Sequence, residues 1–165
     1  MPGRSRGDEH QSGRRRPRPE MLGQTVIVIG GSAGVAPHGA SKVRRGGSLL
    51  FMTGTGARHT GVGLGIISAL TAALPALAAN LALEIAPVRV NLIAAGFVDT
   101  PLSASLLGDQ LEERRNQLRA TLPIGRVVGP TDVAALAIHL MTNTALTGAT
   151  YDIDGGQQLL TPLAT

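Results

Sequence analysis

A turn of glycines with one serine follows the first apolar segment of the chain. Residues 25–29 read Thr-Val-Ile-Val-Ile, a β-branched run typical of a buried strand, and residues 30–34 read Gly-Gly-Ser-Ala-Gly. Glycines after a strand let the backbone approach a phosphate closely, with the N-terminus of the next helix facing the anion. Gly30, Ser32 and Gly34 are therefore candidate phosphate ligands, and an ordinary structural turn is the alternative interpretation.

Side chains that act as metal ligands or bases are few in this sequence. The chain has no Cys, so disulfides and thiolate metal sites are excluded, and its four His are scattered without the spacing of metal ligands. We therefore predict no metal site. The hydroxyl groups of Thr53, Thr55 and Ser68 can donate hydrogen bonds, but none of them is an evident base.

The positive charge of the chain is concentrated in residues 1–20. The whole chain has a net charge of +4, whereas residues 21–165 have nine basic and eight acidic residues, a net of +1. A nucleic-acid partner is therefore not indicated. Residues 1–20 are polar, rich in Arg and without apolar periodicity, which predicts a disordered tail before one domain at 21–165; a phosphate-binding arm is the alternative. No signal peptide is predicted, which favours a cytoplasmic location.

The rest of the chain alternates between predicted strands and helices. Strands are predicted at 48–52, 87–93 and 149–153, and helices at 60–83, at 105–121 and from 129 to about 141. The last helix has a clear start signal, because Pro130 suits the first turn and Asp132 can reach back to free backbone N–H groups. Strands that alternate with helices predict an α/β fold with parallel pairing.

Residues 60–83 carry no formal charge and are long enough to span a bilayer. The segment is rich in Ala and includes Pro75, Asn80 and several glycines, whereas a lipid-facing helix favours Leu, Ile and Phe. A helix that is apolar on every side also occurs in the core of soluble proteins. We therefore regard a membrane span as the less favoured interpretation.

Three downstream segments resemble the short-chain dehydrogenase/reductase family in their order and spacing. Residues 83–101 contain Leu-Glu-x-Ala-Pro-Val-Arg-Val-Asn and then Ala-Gly-Phe-Val-Asp-Thr-Pro. Residues 122–134 contain Leu-Pro-Ile-Gly-Arg and then Gly-Pro-x-Asp-Val-Ala, and residues 147–156 contain Thr-Gly-x-x-Tyr-x-Ile-Asp-Gly-Gly. With the glycine turn included, the resemblance covers about residues 21–36 and 46–160.

The resemblance implies a Rossmann-like parallel sheet with flanking helices that binds NAD or NADP. The first glycine turn would then hold the pyrophosphate. Gly96 and Val98 would place backbone beside the nicotinamide, and Thr100 would hydrogen-bond the carboxamide. The implied activity is hydride transfer on the carbonyl or alcohol of a small-molecule substrate. An ordinary loop at the end of a strand is the alternative interpretation of residues 95–101.

The sequence departs from the family at its catalytic residues. The family uses a Tyr as acid and base and a Lys four residues later, and these two positions are Ile67 and Thr71 in this chain. Neither side chain can transfer a proton as Tyr does or supply a positive charge. The position of the family's catalytic Ser is Gly54. The segment His38–Lys42 imitates the family's Tyr-x-Ala-Ser-Lys motif, but it precedes the strand that it should follow, so a basic surface turn is the better interpretation.

A second departure is the short connection between the glycine turn and the strand at 48. Several strand–helix units belong there, on the order of 70 residues or more, and only residues 37–47 are available. The strand that selects between NAD and NADP is therefore missing, and the cofactor choice stays open. We predict a Rossmann-like fold that lacks several strand–helix units after its first strand.

Two functional hypotheses follow from these departures. The first is an atypical oxidoreductase that uses NAD or NADP. The second is a non-catalytic binding or assembly module, because relatives commonly associate through the long helix and the last strand, at 60–86 and 130–160 here. Such a module would form a homo-oligomer, or a hetero-oligomer with a full-length relative. A truncated product that does not fold stably is a third alternative.

Overall fold

The architecture is a single parallel sheet with helices on both faces. The computed structural model describes residues 26–30, 43–58 and 61–160. The strands are β1 (Val26–Gly30), β2 (Ser48–Gly54), β3 (Arg89–Ala95) and β4 (Thr150–Ile153). The helices are α1 (Gly65–Glu84), α2 (Pro101–Leu107), α3 (Leu111–Thr121) and α4 (Pro130–Thr142). Short 3-10 turns lie at Gly56–Arg58, Gly108–Gln110 and Gln157–Leu159.

The four strands lie in the order β1-β2-β3-β4 and all pair in parallel. Phe51 of β2 lies opposite Leu92 of β3, and Ile93 of β3 lies opposite Tyr151 of β4. β1 pairs directly with β2, with Val26 opposite Ser48. The predicted Rossmann-like sheet is thus confirmed, and no further strand separates β1 from β2 among the residues that the structure describes.

One half of the core lies between the sheet and α1. Strands β2 and β3 turn alternate side chains toward this helix, and α1 contributes one residue per turn to the contact. The buried residues of this cluster include Leu49, Phe51, Leu74, Ala78, Leu81, Val90 and Leu92. The adjacent residues of the same strands face the opposite helix layer, which explains why β2 reads as an uninterrupted apolar run.

The other half of the core lies between the sheet and α4. Leu50, Ile93 and Leu140 are completely buried there, and partly buried residues such as Leu136 and Tyr151 pack around them. The sheet is therefore covered on both faces, as a parallel sheet requires.

Arg89, the first residue of β3, ties the sheet to the end of α4. Its side chain is buried, and its guanidinium donates hydrogen bonds to the carbonyl groups of Leu140 (2.8 Å), Met141 (2.7 Å) and Asn143 (3.0 Å). The last carbonyls of a helix have no partner within the helix, so this side chain satisfies them. Burial lowers the pKa of Arg89.

Helix α1 covers the sheet with one face and leaves a long apolar face open. Thr71, Leu74, Ala78 and Leu81 are its buried residues. Among the described residues, α1 is the one helix long and apolar enough to cross a membrane, and 22% of the stretch is buried. Length and composition alone do not distinguish a membrane segment from a helix that another protein surface covers.

The segment predicted as one helix over 105–121 is divided in the structure. Helix α2 ends at Leu107, a 3-10 turn occupies Gly108–Gln110, and α3 begins at Leu111. Gly108 has a φ of 51°, a conformation that glycine adopts without steric cost and that ends a helix. The predicted disordered tail, the segment 38–42 and the candidates Ser32 and Gly34 lie outside the described residues.

Candidate functional site

Three of the parallel strands bring glycines to one edge of the sheet. Gly30 ends β1, Gly54 ends β2, and Gly96 directly follows β3. Gly54 lies opposite Ala95 in the register of β2 and β3. Ligands of open α/β sheets bind outside the carboxyl ends of the strands, so this edge is the candidate site. The structure thus places the predicted residues Gly30 and Gly96 on the same edge.

The loop of residues 96–100, called the edge loop below, is held by backbone hydrogen bonds from two directions. The Gly96 N–H donates to the Ile153 carbonyl at 3.1 Å, and the Asp99 N–H donates to the Val128 carbonyl at 2.9 Å. Val98 forms an isolated parallel bridge with Val128. The edge loop therefore continues the sheet for three residues beyond β3 and has a defined backbone.

Thr100 ends the edge loop and begins α2. Its Oγ1 accepts a hydrogen bond from the Ser103 N–H at 3.1 Å, and the Thr100 N–H donates to Ser103 Oγ at 2.8 Å, which together form a capping box. Ser103 Oγ also donates to the Val98 carbonyl at 2.9 Å. Thr100 Oγ1 and Ser103 Oγ also lie 3.2 Å apart, so the Thr100 hydroxyl donates either to Ser103 Oγ or, in exchange for that bond, to an outside acceptor such as a carboxamide oxygen.

Asp99 connects the edge loop to α3. Its carboxylate accepts two hydrogen bonds from Arg115, from Nε at 2.9 Å and from Nη2 at 2.7 Å. The hydrogen bonds that Arg115 donates to Asp99 and then to Glu112 raise its pKa, so the guanidinium stays charged. Sequence reasoning missed this pair. The acidic residue inside the Gly-Phe-Val-Asp-Thr segment was a signal, but its partner lies 16 residues away.

The start of α4 supports the strand segment that pairs with the edge loop. Asp132 accepts hydrogen bonds from the Gly129 N–H (2.9 Å) and from Arg126 (2.6 and 2.8 Å), which confirms the predicted helix start. The bonds from Arg126, and next that from Gly129, lower the pKa of Asp132 to about 2. Gly129 directly follows Val128, so this cap fixes the residue that pairs with Val98.

The positions of the family's catalytic pair lie on the first two turns of α1. The Ile67 side chain is about half exposed, at 51%, and has no group that exchanges a proton. Thr71 is buried, and its hydroxyl donates to the carbonyls of Ile67 (2.9 Å) and Ser68 (3.1 Å) within the helix. Neither residue can therefore act as an acid or base.

The remaining hydroxyl candidates lie around the end of β2. Ser68 Oγ donates to the Gly56 carbonyl at 3.1 Å, which ties α1 to the 3-10 turn. Thr53 is half-buried in β2, one residue before Gly54. Within residues 43–58 and 61–160, His, Asp and Glu side chains form no group that could hold a metal ion.

Comparison with known proteins identifies the same family across most of the chain. The family model described as Enoyl-(Acyl carrier protein) reductase matches residues 24–158. Dehydrogenase/reductase SDR family member 4 from Sus scrofa is 36% identical over 117 residues, which are 68% of this chain and 41% of that protein. Carbonyl reductase family member 4 from Danio rerio is 31% identical over 142 residues, 85% of this chain and 54% of that protein. The chain spans about half the length of such curated relatives.

Solved structures agree with the sequence comparison. The crystal structure of a small-chain dehydrogenase in complex with NADPH has a TM-score of 0.70 and 31% sequence identity, and the match covers 75% of this chain and 57% of that one. A second structure of a small-chain dehydrogenase has a TM-score of 0.65 at 30% identity. From the parallel sheet, the edge loop and the family match over residues 24–158, we conclude that the chain belongs to the short-chain dehydrogenase/reductase family.

Proposed function

We propose that this chain binds NAD(H) or NADP(H) along the carboxyl edge of its sheet and acts as an oxidoreductase on a small carbonyl or alcohol substrate. The observation that carries the proposal is the edge loop. Its backbone is fixed by Ile153, Val128 and Ser103, and the Thr100 hydroxyl can exchange its contact with Ser103 Oγ for an outside acceptor. The similarity to a dehydrogenase solved with NADPH supports this assignment.

The proposed contacts divide between the two ends of the cofactor. The backbone at Gly96 and Val98 would lie against the nicotinamide, and Thr100 would donate its hydroxyl proton to the carboxamide oxygen. Gly30, Ser32 and Gly34 would hold the pyrophosphate, because glycines after a strand allow close approach of the backbone.

The proposed chemistry follows from what the chain offers near this edge. Reduced nicotinamide, when bound at this edge, would supply the hydride for a carbonyl carbon. The Thr53 hydroxyl can donate a hydrogen bond to the carbonyl oxygen, on which negative charge develops as the hydride arrives. Because Ile67 has no exchangeable proton and the buried Thr71 hydroxyl donates to carbonyls of its own helix, water would have to protonate that oxygen. We therefore expect turnover far slower than with a positioned acid, since general acid catalysis contributes roughly 10²–10⁴-fold.

Titration with NADH and NADPH tests the proposal directly. The chain has no Trp, so the nicotinamide fluorescence is free of overlap from protein emission. We expect saturable binding by the full chain, with circular dichroism confirming that the sample is folded. Thr100→Val removes the hydroxyl donor together with the cap of α2, and we expect it to bind about tenfold more weakly; Ser103→Ala disturbs the same capping box but keeps the Thr100 hydroxyl, and it should bind more tightly than Thr100→Val. A folded wild-type chain without saturable binding would overturn the proposed function.

A second candidate function, self-assembly without catalysis, is favoured by α1. Its open face has no charged side chain before Glu84, and several large apolar side chains are exposed there. The exposed residues are Ile66 (80%), Ile67 (51%), Leu70 (59%) and Leu83 (81%). An uncharged helix face of this length is rare on the surface of a monomer and is typical of a protein contact. We propose that a second copy of the chain covers it.

Sedimentation of the full chain tests this candidate. We expect a dimer, and we expect Leu70→Glu to give a monomer because a carboxylate would be buried in the contact. The matched variant Gln117→Glu adds the same charge at an exposed position of α3, outside the open face of α1, and checks for a general effect of charge. A monomeric wild-type chain would overturn self-assembly, and dimerisation only with an added full-length relative would replace it with hetero-assembly.

Two further predictions remain to be tested by other means. The division into a disordered tail of residues 1–20 and a domain of residues 21–165 predicts early cleavage within the tail in limited proteolysis. A cytoplasmic location predicts recovery in the soluble fraction after cell lysis without detergent.

A further inference from the structure

The turn that follows β4 lies unusually close to the start of the edge loop. A Cβ atom added to Gly96 would lie 2.6 Å from Asp154 Cβ and 2.9 Å from Gln157 Oε1. Distances below 3 Å do not occur between real Cβ atoms and such neighbours, so this contact explains why position 96 is a glycine. The same glycine leaves the backbone of the edge loop intrinsically free to rotate. An external contact must therefore fix it.

Asp154 gives the turn after β4 its shape. Its carboxylate is buried and accepts hydrogen bonds from the Gly156 N–H at 2.8 Å and the Gln158 N–H at 2.9 Å. Burial raises the pKa of Asp154, but the hydrogen bonds from Gly156 and Gln158 outweigh it, so the pKa lies below its ordinary value. Gly155 and Gly156 have φ values of 68° and 87°, which the turn requires. The position of Gln157 follows from this rigid turn.

The Gln157 side chain contacts the edge loop directly. Its Oε1 accepts a hydrogen bond from the Phe97 N–H at 3.2 Å. A backbone N–H can only donate, so the amide oxygen of Gln157 must face it. Phe97 lies between Gly96 and Val98, the two residues assigned to the nicotinamide. The bond therefore fixes the peptide plane at the flexible glycine.

We propose that Gln157 is a positioning residue that holds the edge loop in the conformation that receives the nicotinamide. This inference rests on the proposed function, in which Gly96 and Val98 face the cofactor. Gln157 itself acts through the Phe97 amide. Without its oxygen the Phe97 N–H loses its acceptor in a half-buried place, and the loop gains rotational freedom that binding must then remove.

Three variants of the full chain separate this role from a general contribution to stability. Gln157→Leu removes the acceptor at nearly constant size, and Gln157→Glu keeps an acceptor oxygen at the same distance. Gln158→Leu makes the same chemical change one residue later, where the side chain contacts Arg58 and Asp154 and not the edge loop, so it also checks for a general loosening of the turn. If Gln157→Leu does not fold, Gln157→Asn takes its place in the experiment, because its side chain is one methylene shorter and withdraws the amide from Phe97.

Hydrogen exchange of the Phe97 amide, measured by NMR without cofactor, is the first readout. We expect it to accelerate at least about tenfold in Gln157→Leu and to stay close to wild type in Gln157→Glu and Gln158→Leu, because one hydrogen bond contributes about a factor of ten. NADH affinity should fall in Gln157→Leu and stay close to wild type in Gln157→Glu and Gln158→Leu. Unchanged exchange in Gln157→Leu would overturn the positioning role whether or not NADH binds.

The two proposals fail in different ways in this experiment. If the wild-type chain does not bind NADH but Gln157→Leu loses protection at Phe97, the cofactor assignment is wrong, whereas the role of Gln157 in fixing the edge loop stands. If NADH binds and protection is lost without a change in affinity, the positioning role is wrong and the proposed function stands. Loss of protection and affinity together, with recovery in Gln157→Glu, supports both.

Discussion

The family resemblance places the expected function in two regions, the edge loop and the first turns of α1. The two regions differ in the contacts that support them and in the groups that they offer for chemistry. In the edge loop, residues 96–100 have partners from β4, α3 and the segment before α4. In α1, Ile67 is half exposed, and the Thr71 hydroxyl is used up by carbonyls of its own helix. The region proposed to bind the cofactor thus has supporting contacts, while the region expected to move a proton has no suitable group. Cofactor binding and proton transfer can therefore be tested separately.

The largest expected effect comes from restoring the acid and the positive charge that the first turns of α1 lack. Ile67→Tyr combined with Thr71→Lys places an acid and a positive charge at the family's positions. We expect NADPH-dependent reduction of a small aromatic aldehyde, followed by absorbance, to rise by about 100-fold or more. The control Ile67→Tyr with Thr71→Met has the phenol without the charge and should gain much less. No gain in a folded variant that binds NADPH would show that α1 no longer faces the cofactor.

Paired glycine substitutions compare the two regions directly. Gly96→Ala puts a methyl group within 2.6 Å of Asp154 Cβ, so we expect a loss of about 2 kcal/mol or more in the free energy of unfolding. Gly65→Ala, at the start of α1, meets no atom within 4 Å and should stabilise the helix by up to about 1 kcal/mol. Chemical denaturation of both variants measures the contrast. Equal changes in the free energy of unfolding would mean that Gly96 is no more tightly packed than Gly65.

A smaller effect is expected at the connection between the edge loop and α3. Arg115→Gln removes the two hydrogen bonds to Asp99, and we expect NADH binding to weaken about three- to tenfold because the loop loses one support. Arg119→Gln is the matched control, since within the described part of the chain Arg119 bonds to Glu112 and Asn116 on the exposed side of α3 and not to the edge loop. Binding that weakens equally in both variants would point to a general loss of positive charge.

The smallest expected effect is a pH dependence at the start of α4. The folded-state pKa of Asp132 is about 2, below its ordinary value of 3.8. The contribution of Asp132 to the free energy of unfolding is therefore complete at pH values above its ordinary pKa and is lost as the pH falls toward 2. We expect the melting temperature of wild type to fall more steeply between pH 4 and pH 2 than that of Asp132→Asn. Parallel curves for the two proteins would contradict the cap.

Local signals made much of this fold predictable. The strands were visible as short apolar runs, and the start of α4 as a proline and an aspartate at fixed spacing. The break at Gly108 was missed because the apolar spacing continues across it. The order of the sheet, with β1 beside β2, has no local signal at all.

The supports of the site were not predictable from the sequence for a related reason. Gln157 lies 60 residues after Phe97, and Arg115 lies 16 residues after Asp99. Neither Gln157 nor Arg115 lies at a sequence spacing that identifies it as a partner of the edge loop. Polar side chains are common in turns and on helix surfaces, and the sequence does not show which of them contacts a distant loop. The edge loop itself was found because its residues form one contiguous motif.

The buried Arg89 has a consequence for how this chain folds. Arg89 is largely removed from water, at 7% exposure, and its acceptors at Leu140, Met141 and Asn143 are in place only when α4 has docked. A half-docked helix would leave the charge partly dehydrated and without those carbonyls, a state of high free energy. We therefore expect α4 to dock onto β3 in one step, and amides on both sides of that contact to open together in native-state exchange as one cooperative unit.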